Sequence, residues 1–122
     1  RVIMTGYVTD QEILKALYQN CYYYFHGHEF GGTNPTILKA LAYSCPILAI
    51  DTVFSKEVLK EYEYGIPFKK NVLSLTAQID GINEFDEKRM RLKEIGTRRI
   101  EERYTWSRIS QLYSDLFNSL KQ

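Results

Sequence analysis

Five consecutive apolar residues, Pro46-Ile47-Leu48-Ala49-Ile50, constrain this 122-residue chain more than any other feature. A strand with one face in water alternates apolar and polar side chains. A strand that is apolar throughout must be covered on both faces, as in a parallel sheet flanked by helices. The neighbouring sequence supplies such helices. Asn34 caps one that opens on Pro35, where the missing N–H is harmless. Ile37, Leu38, Leu41 and Ala42 give it an apolar face. On the other side, Ser55 is a cap for a helix carrying Val58, Leu59 and Tyr62, which stops near Gly65.

The same alternation runs outward in both directions. Val2-Ile3-Met4, Cys21 to His26, and Ile66 to Lys69 read as further short strands. Asp10 caps a segment with Ile13, Leu14, Leu17 and Tyr18 at helical spacing. Asn71 caps another with Val72, Leu75, Ile79 and Ile82. The order β-α-β-α-β-α-β-α predicts an α/β fold, a doubly wound, Rossmann-like parallel sheet with flanking helices. No linker, repeat or low-complexity stretch divides the chain, so residues 1–122 read as a single domain.

The C-terminal region, 86–122, is different. Residues 86–103 hold twelve charges in eighteen positions, seven of them basic. This reads as a solvated helix laced with i,i+4 pairs around Arg91, Ile95 and Arg99. A basic patch facing a membrane or polyanion is the alternative. Thr105 then caps a last helix whose Trp106, Ile109, Tyr113, Leu116, Phe117 and Leu120 form an apolar stripe. The other helices have apolar faces of their own to bury on four short strands. The stripe is therefore expected to stay partly exposed in a single chain, or to meet a second copy or another domain.

Composition excludes several classes. Sixteen basic residues stand against fifteen acidic ones, a net charge of +1, so the chain is not a strongly basic nucleic-acid binder. Its apolar runs fall far short of the ~20 residues that span a bilayer, and nothing reads as a signal peptide. Two cysteines, Cys21 and Cys45, both open apolar runs and read as core thiols of a reducing cytoplasm, with a metal or redox role as the alternative. The chain starts at Arg1 inside a strand-like run, as if cut from something longer.

The segment suited to ligand chemistry is His26-Gly27-His28-Glu29-Phe30-Gly31-Gly32-Thr33-Asn34-Pro35. It follows a strand and opens a helix. In open α/β sheets that is where ligands bind, and free helix-start N–H groups suit a phosphate. No Gly-Lys-Ser/Thr follows and the Gly-x-Gly-x-x-Gly spacing is absent, so neither a Walker loop nor a dinucleotide fingerprint is present. His26 and His28 lack an independent third ligand for a metal. No nucleophile elbow occurs.

Around this loop, Val2 to Leu120 resembles the C-terminal half of GT-B glycosyltransferases, in the retaining family known as glycosyltransferases group 1 (family 4). Four stretches carry the resemblance: MTGYVTDQEILKALYQNC, YYYFHGHEFGGTNPTILKALAYSCPILAID, FSKEVLKEYEYGIPFK and RRIEERYTWSRISQLYSDLF. The Gly-Gly-Thr-Asn-Pro turn is most similar to the branch that includes bacterial rhamnosyltransferases of surface-polysaccharide synthesis. The resemblance implies the donor-binding half of a hexosyltransferase. Its substrates would be a nucleoside diphosphate sugar and a saccharide or lipid-linked acceptor. It implies no cofactor and no metal. It places Glu29 at the catalytic position beside the donor sugar, and His28, Phe30, Gly31, Gly32, Thr33, Asn34 and Lys39 in donor binding. It implies residues 86–122 as closing helices, and an acceptor-binding N-terminal GT-B domain as the missing partner, without which the chain is inactive. It implies a cytoplasmic location, including the inner face of the plasma membrane.

The family's core motif has two glutamates separated by seven residues, the second holding the ribose. Here that spacing from Glu29 ends on Ile37, and the matching helix position is Lys39, with nine residues between. Lys39 could reach a phosphate, pair with Glu29, or be solvated. A non-catalytic nucleotide-binding or scaffolding domain stays open as an alternative. So does an unrelated flavodoxin-like or epimerase-like domain that shares only the architecture.

Overall fold

The computed structural model describes residues 2–81 and 86–120. They form α1 (Gln11–Asn20), β1 (Tyr24–His26), α2 (Pro35–Ala42), β2 (Ile47–Ile50), α3 (Val53–Val58), β3 (Ile66–Phe68), α4 (Val72–Asp80), α5 (Asp86–Arg103) and α6 (Trp106–Ser119). Ile82, expected at the end of α4, lies outside the described residues.

Local capping chemistry starts most of these helices as expected. Asp10 accepts the N–H groups of Glu12 and Ile13, Asn34 that of Thr36, Asn71 that of Ser74 and Thr105 that of Arg108. The cap of α3 is a correction: it is Thr52, not Ser55. Thr52 Oγ1 accepts the Ser55 N–H at 3.1 Å, and Ser55 is buried in the first turn. Tyr62 was expected within this helix, but α3 ends at Val58. Lys60, Glu61 and Tyr62 then take left-handed backbone angles, φ 51°, 52° and 64°. Each such residue is unfavourable by about 1 kcal/mol or more. The turn is held by the Glu61 N–H on Lys56 O and the Tyr64 N–H on Leu59 O.

The three strands pair in parallel in the order β1-β2-β3, with Phe25 opposite Leu48 and Ala49 opposite Pro67. The α/β class and the parallel sheet stand. Among the described strands the order never reverses, so the switch point of a doubly wound sheet is not among them. Val2-Ile3-Met4 forms no strand and is exposed. Three apolar residues gain nothing by extending unless a neighbouring strand takes their backbone hydrogen bonds. The expected Cys21–His26 strand is reduced to Tyr24–His26, because the Cys21 N–H closes α1 on Leu17 O.

β2 lies at the centre, and all four of its residues are buried. Their alternation divides the core. Ile47 and Ala49 pack with Ile37, Ala40, Leu41, Val58, Leu59, Tyr64 and Ile95, whereas Leu48 packs with Tyr23, Ile66 and Leu92. Helix α5 is thus not merely a solvated helix. Leu92, Ile95 and Arg99 are buried, and α5 packs against α2. Gly96 allows the approach: a Cβ there would meet Leu41 O and Ser44 Cα at 3.3 Å. The Arg99 guanidinium donates from Nε to Val58 O and from Nη2 to Glu57 O, both at 2.7 Å, taking up free carbonyls at the end of α3. Arg103 and Glu102 pair with Glu57 and Lys60, joining α5 to the α3 region.

Candidate functional site

The loop 27–34 leaves the carboxyl end of β1, and Pro35 occupies the first turn of α2, as the strand-glycine-cap-proline order requires. Gly31 and Gly32 have φ of 100° and 72°, a backbone region that side chains strongly disfavour. The loop therefore turns back on itself immediately before the helix start. Asn34 ends a short hydrogen-bond chain. Tyr24 Oη donates to Thr36 Oγ1 at 2.9 Å, and Thr36 Oγ1 donates to Asn34 Oδ1 at 2.7 Å. His26 Nδ1 lies 3.5 Å from the same tyrosine hydroxyl. The chain ties the last residues of β1 to the entry of α2.

His26 is buried, and burial, reinforced by His28, holds its pKa below the ordinary histidine value. The two rings are 6.1 Å apart. With Gly32, Asn34, Phe54 and Ser55 they line a crevice of about 10 Å³, roughly the room for one water. Ile37 also lines it from below and is 1% exposed, so the position reached by the family's glutamate spacing is core.

The predicted site residues separate into two places. His28, Glu29, Phe30, Gly31, Gly32, Thr33 and Asn34 are together on the loop, with His28, Phe30 and Thr33 exposed. Lys39 is on another face of α2, lining a groove with Pro35, Leu38, Ala42, Ile100 and Tyr104. Glu29 instead meets a residue that sequence reasoning missed. Its Oε2 is 2.6 Å from Lys70 Nζ, on the loop after β3. The available signal was a cation two residues past a strand end and just before the cap Asn71. Among the described residues, no group of three or more His, Cys, Asp or Glu side chains is placed to hold a metal.

The cysteines lie away from this loop. Cys21 is half-buried and Cys45 buried, and both belong to the core around Ile47. Cys21 Sγ donates to Tyr18 O at 3.2 Å and Cys45 Sγ to Pro46 O at 3.6 Å; the neighbouring Cys45 thiol lowers the Cys21 pKa against the effect of burial, while Cys45 is raised.

A parallel sheet with a glycine loop at its carboxyl edge, entering a capped helix beside an ion pair, is the arrangement at which open α/β domains bind ligands. The profile of the family described as glycosyl transferases group 1 matches residues 1–99, and the chain belongs to that family. A domain of this family acts in glycosyl transfer, with a nucleotide-sugar donor and an acceptor. Membership sets aside the unrelated flavodoxin-like or epimerase-like alternative. Searches of curated proteins and of solved structures return no match. Among the described residues, no helix is long and apolar enough to cross a membrane.

Proposed function

We propose that this chain is the donor-binding half of a GT-B enzyme, and that it binds a nucleoside diphosphate sugar at the loop 27–34. The enzyme transfers a hexosyl group to a saccharide or lipid-linked acceptor in bacterial surface-polysaccharide synthesis, on the rhamnosyltransferase branch. It works in the cytoplasm, at the inner face of the plasma membrane. The observation that carries this reading is the placement of Glu29 and the Gly31-Gly32-Thr33-Asn34 turn at the carboxyl end of β1, directly before a helix start, in a chain of this family. Backbone N–H groups of the turn receive the diphosphate; at the start of α2 Pro35 has no N–H and that of Thr36 is held by Asn34 Oδ1 at 2.8 Å, so the loop supplies the donors. Glu29 orients the donor sugar, and His28, Phe30 and Thr33 border it. Lys39 acts at the margin of the site, or not on the donor at all.

Transfer requires an acceptor-binding domain closed over the donor. Positioning and charge stabilisation of the departing diphosphate supply most of the rate, so this half alone does not turn over. In the intact enzyme, Glu29→Gln lowers turnover of the nucleotide sugar by about tenfold or more, ~1.4 kcal/mol in barrier, without changing the melting temperature. Unchanged turnover would remove Glu29 from the site. Absence of turnover with every nucleotide sugar offered would favour the scaffolding alternative, for which the core position of Ile37 is the specific observation.

A further inference from the structure

Glu29 and Lys70 come from loops that leave the two outer strands of the sheet, β1 and β3, and they meet across the end of β2 at 2.6 Å. The backbone around Lys70 is pinned. The Lys69 N–H donates to Ser74 Oγ at 2.9 Å, the Asn71 N–H donates to Lys69 O at 2.7 Å, and Asn71 caps α4. The Lys70 side chain itself is 71% exposed. A pair this exposed contributes little to stability and opens readily. A lysine ammonium is a point charge that takes phosphate as well as carboxylate, and a diphosphate brings more than one negative charge to it.

We propose that Lys70 is a cation that neutralises the donor diphosphate, and that Glu29 holds it in place until the donor arrives. This deepens the reading of the loop as a donor site and rests on it. Arrival of the diphosphate exchanges the Glu29 carboxylate on Lys70 for phosphate oxygens. The exchange frees Glu29 to turn to the sugar, so one event loads the phosphate cation and releases the sugar-orienting carboxylate. No covalent bond changes in this step.

The test is titration calorimetry of the full chain with uridine, guanosine and thymidine diphosphates and inorganic pyrophosphate, on wild type, Lys70→Met, Lys70→Arg and Glu29→Gln. For a diphosphate that binds, Lys70→Met should weaken it about tenfold or more, and Lys70→Arg should restore most of the loss. Glu29→Gln should tighten it severalfold, because the competing carboxylate is gone, and should have no effect in the Lys70→Met background. Equal affinity of wild type and Lys70→Met for a bound diphosphate would overturn the proposal and leave the donor reading standing. If no diphosphate or pyrophosphate bound wild type or Glu29→Gln, the donor reading would fall, and the proposal with it.

Discussion

His26 shows how one residue can join packing to the site. It ends β1, it is buried, and its neighbours are the Tyr24 hydroxyl, the His28 ring and the crevice wall. Burial disfavours the imidazolium, so its pKa in the folded chain lies below that in the unfolded chain, about 6.5. The unfolded state therefore takes up the proton first as pH falls. Stability from this group is complete above about pH 6.5 and is lost as pH drops toward the folded value. Urea midpoints should fall between pH 7.5 and pH 5.5, and His26→Asn should flatten that part of the profile. A histidine-independent profile would mean that His26 is solvated in solution. Glu29 illustrates the opposite case. It is placed by tertiary contact, and its partner Lys70 is forty-one residues away in sequence.

At the scale of elements, the contact between α5 and α2 decides whether the charged C-terminal helix is part of the domain. Gly96 sits in the middle of α5 and faces Leu41 O and Ser44 Cα, both backbone atoms that cannot swing aside. Replacing it with alanine sets a gain in helix propensity of about 1 kcal/mol against a close contact. Valine adds two methyl groups to the same gap. Gly96→Val is expected to destabilise the chain by about 2 kcal/mol, within the range for overpacking, with Gly96→Ala much nearer to neutral. Chemical denaturation measures both. Valine stability equal to wild type would show that α5 does not lie on α2. The same contact carries Arg99 to the carbonyls of Val58 and Glu57, so the stability of α5 and the end of α3 are linked.

The whole molecule leaves much of its apolar surface uncovered. On α6, Trp106, Tyr113, Leu116, Phe117 and Leu120 are exposed, with Ile109 half-covered, and no residue of the helix is buried. The expectation that this stripe is not core of the sheet is met. On α1, Ile13 and Leu17 are similarly about half-exposed. Contiguous apolar faces of this kind mark surfaces that meet other surfaces. Trp106 is 88% exposed, so in dilute solution its fluorescence should be that of solvated indole and be quenched by iodide. Trp106→Ala should change stability by no more than about 0.5 kcal/mol. Blue-shifted, unquenched emission would show that the stripe is covered, by a second copy or by another part of the chain.

Much of this architecture could be read from residue order alone, because its causes are local. An Asx or threonine side chain caps the N–H groups two or three residues on, so Asp10, Asn34, Asn71 and Thr105 announce their helices without tertiary help. The apolar run of β2 forces a strand covered on both faces, and two glycines followed by Thr-Asn-Pro force the turn into α2. Other features depend on partners distant in sequence. Val2-Ile3-Met4 has the composition of a strand, but a strand exists only when a neighbour takes its hydrogen bonds. Leu92 and Ile95 are inside because Gly96 lets two helices approach, a property of the pair and not of either helix. Whether Lys39 or Lys70 faces Glu29 was decided by the direction of the helix face and by the adjacency of β1, β2 and β3. Local sequence determines where the backbone can cap, turn and extend; only the folded chain decides which charges and which apolar faces share a boundary, because those energies depend on distance through space.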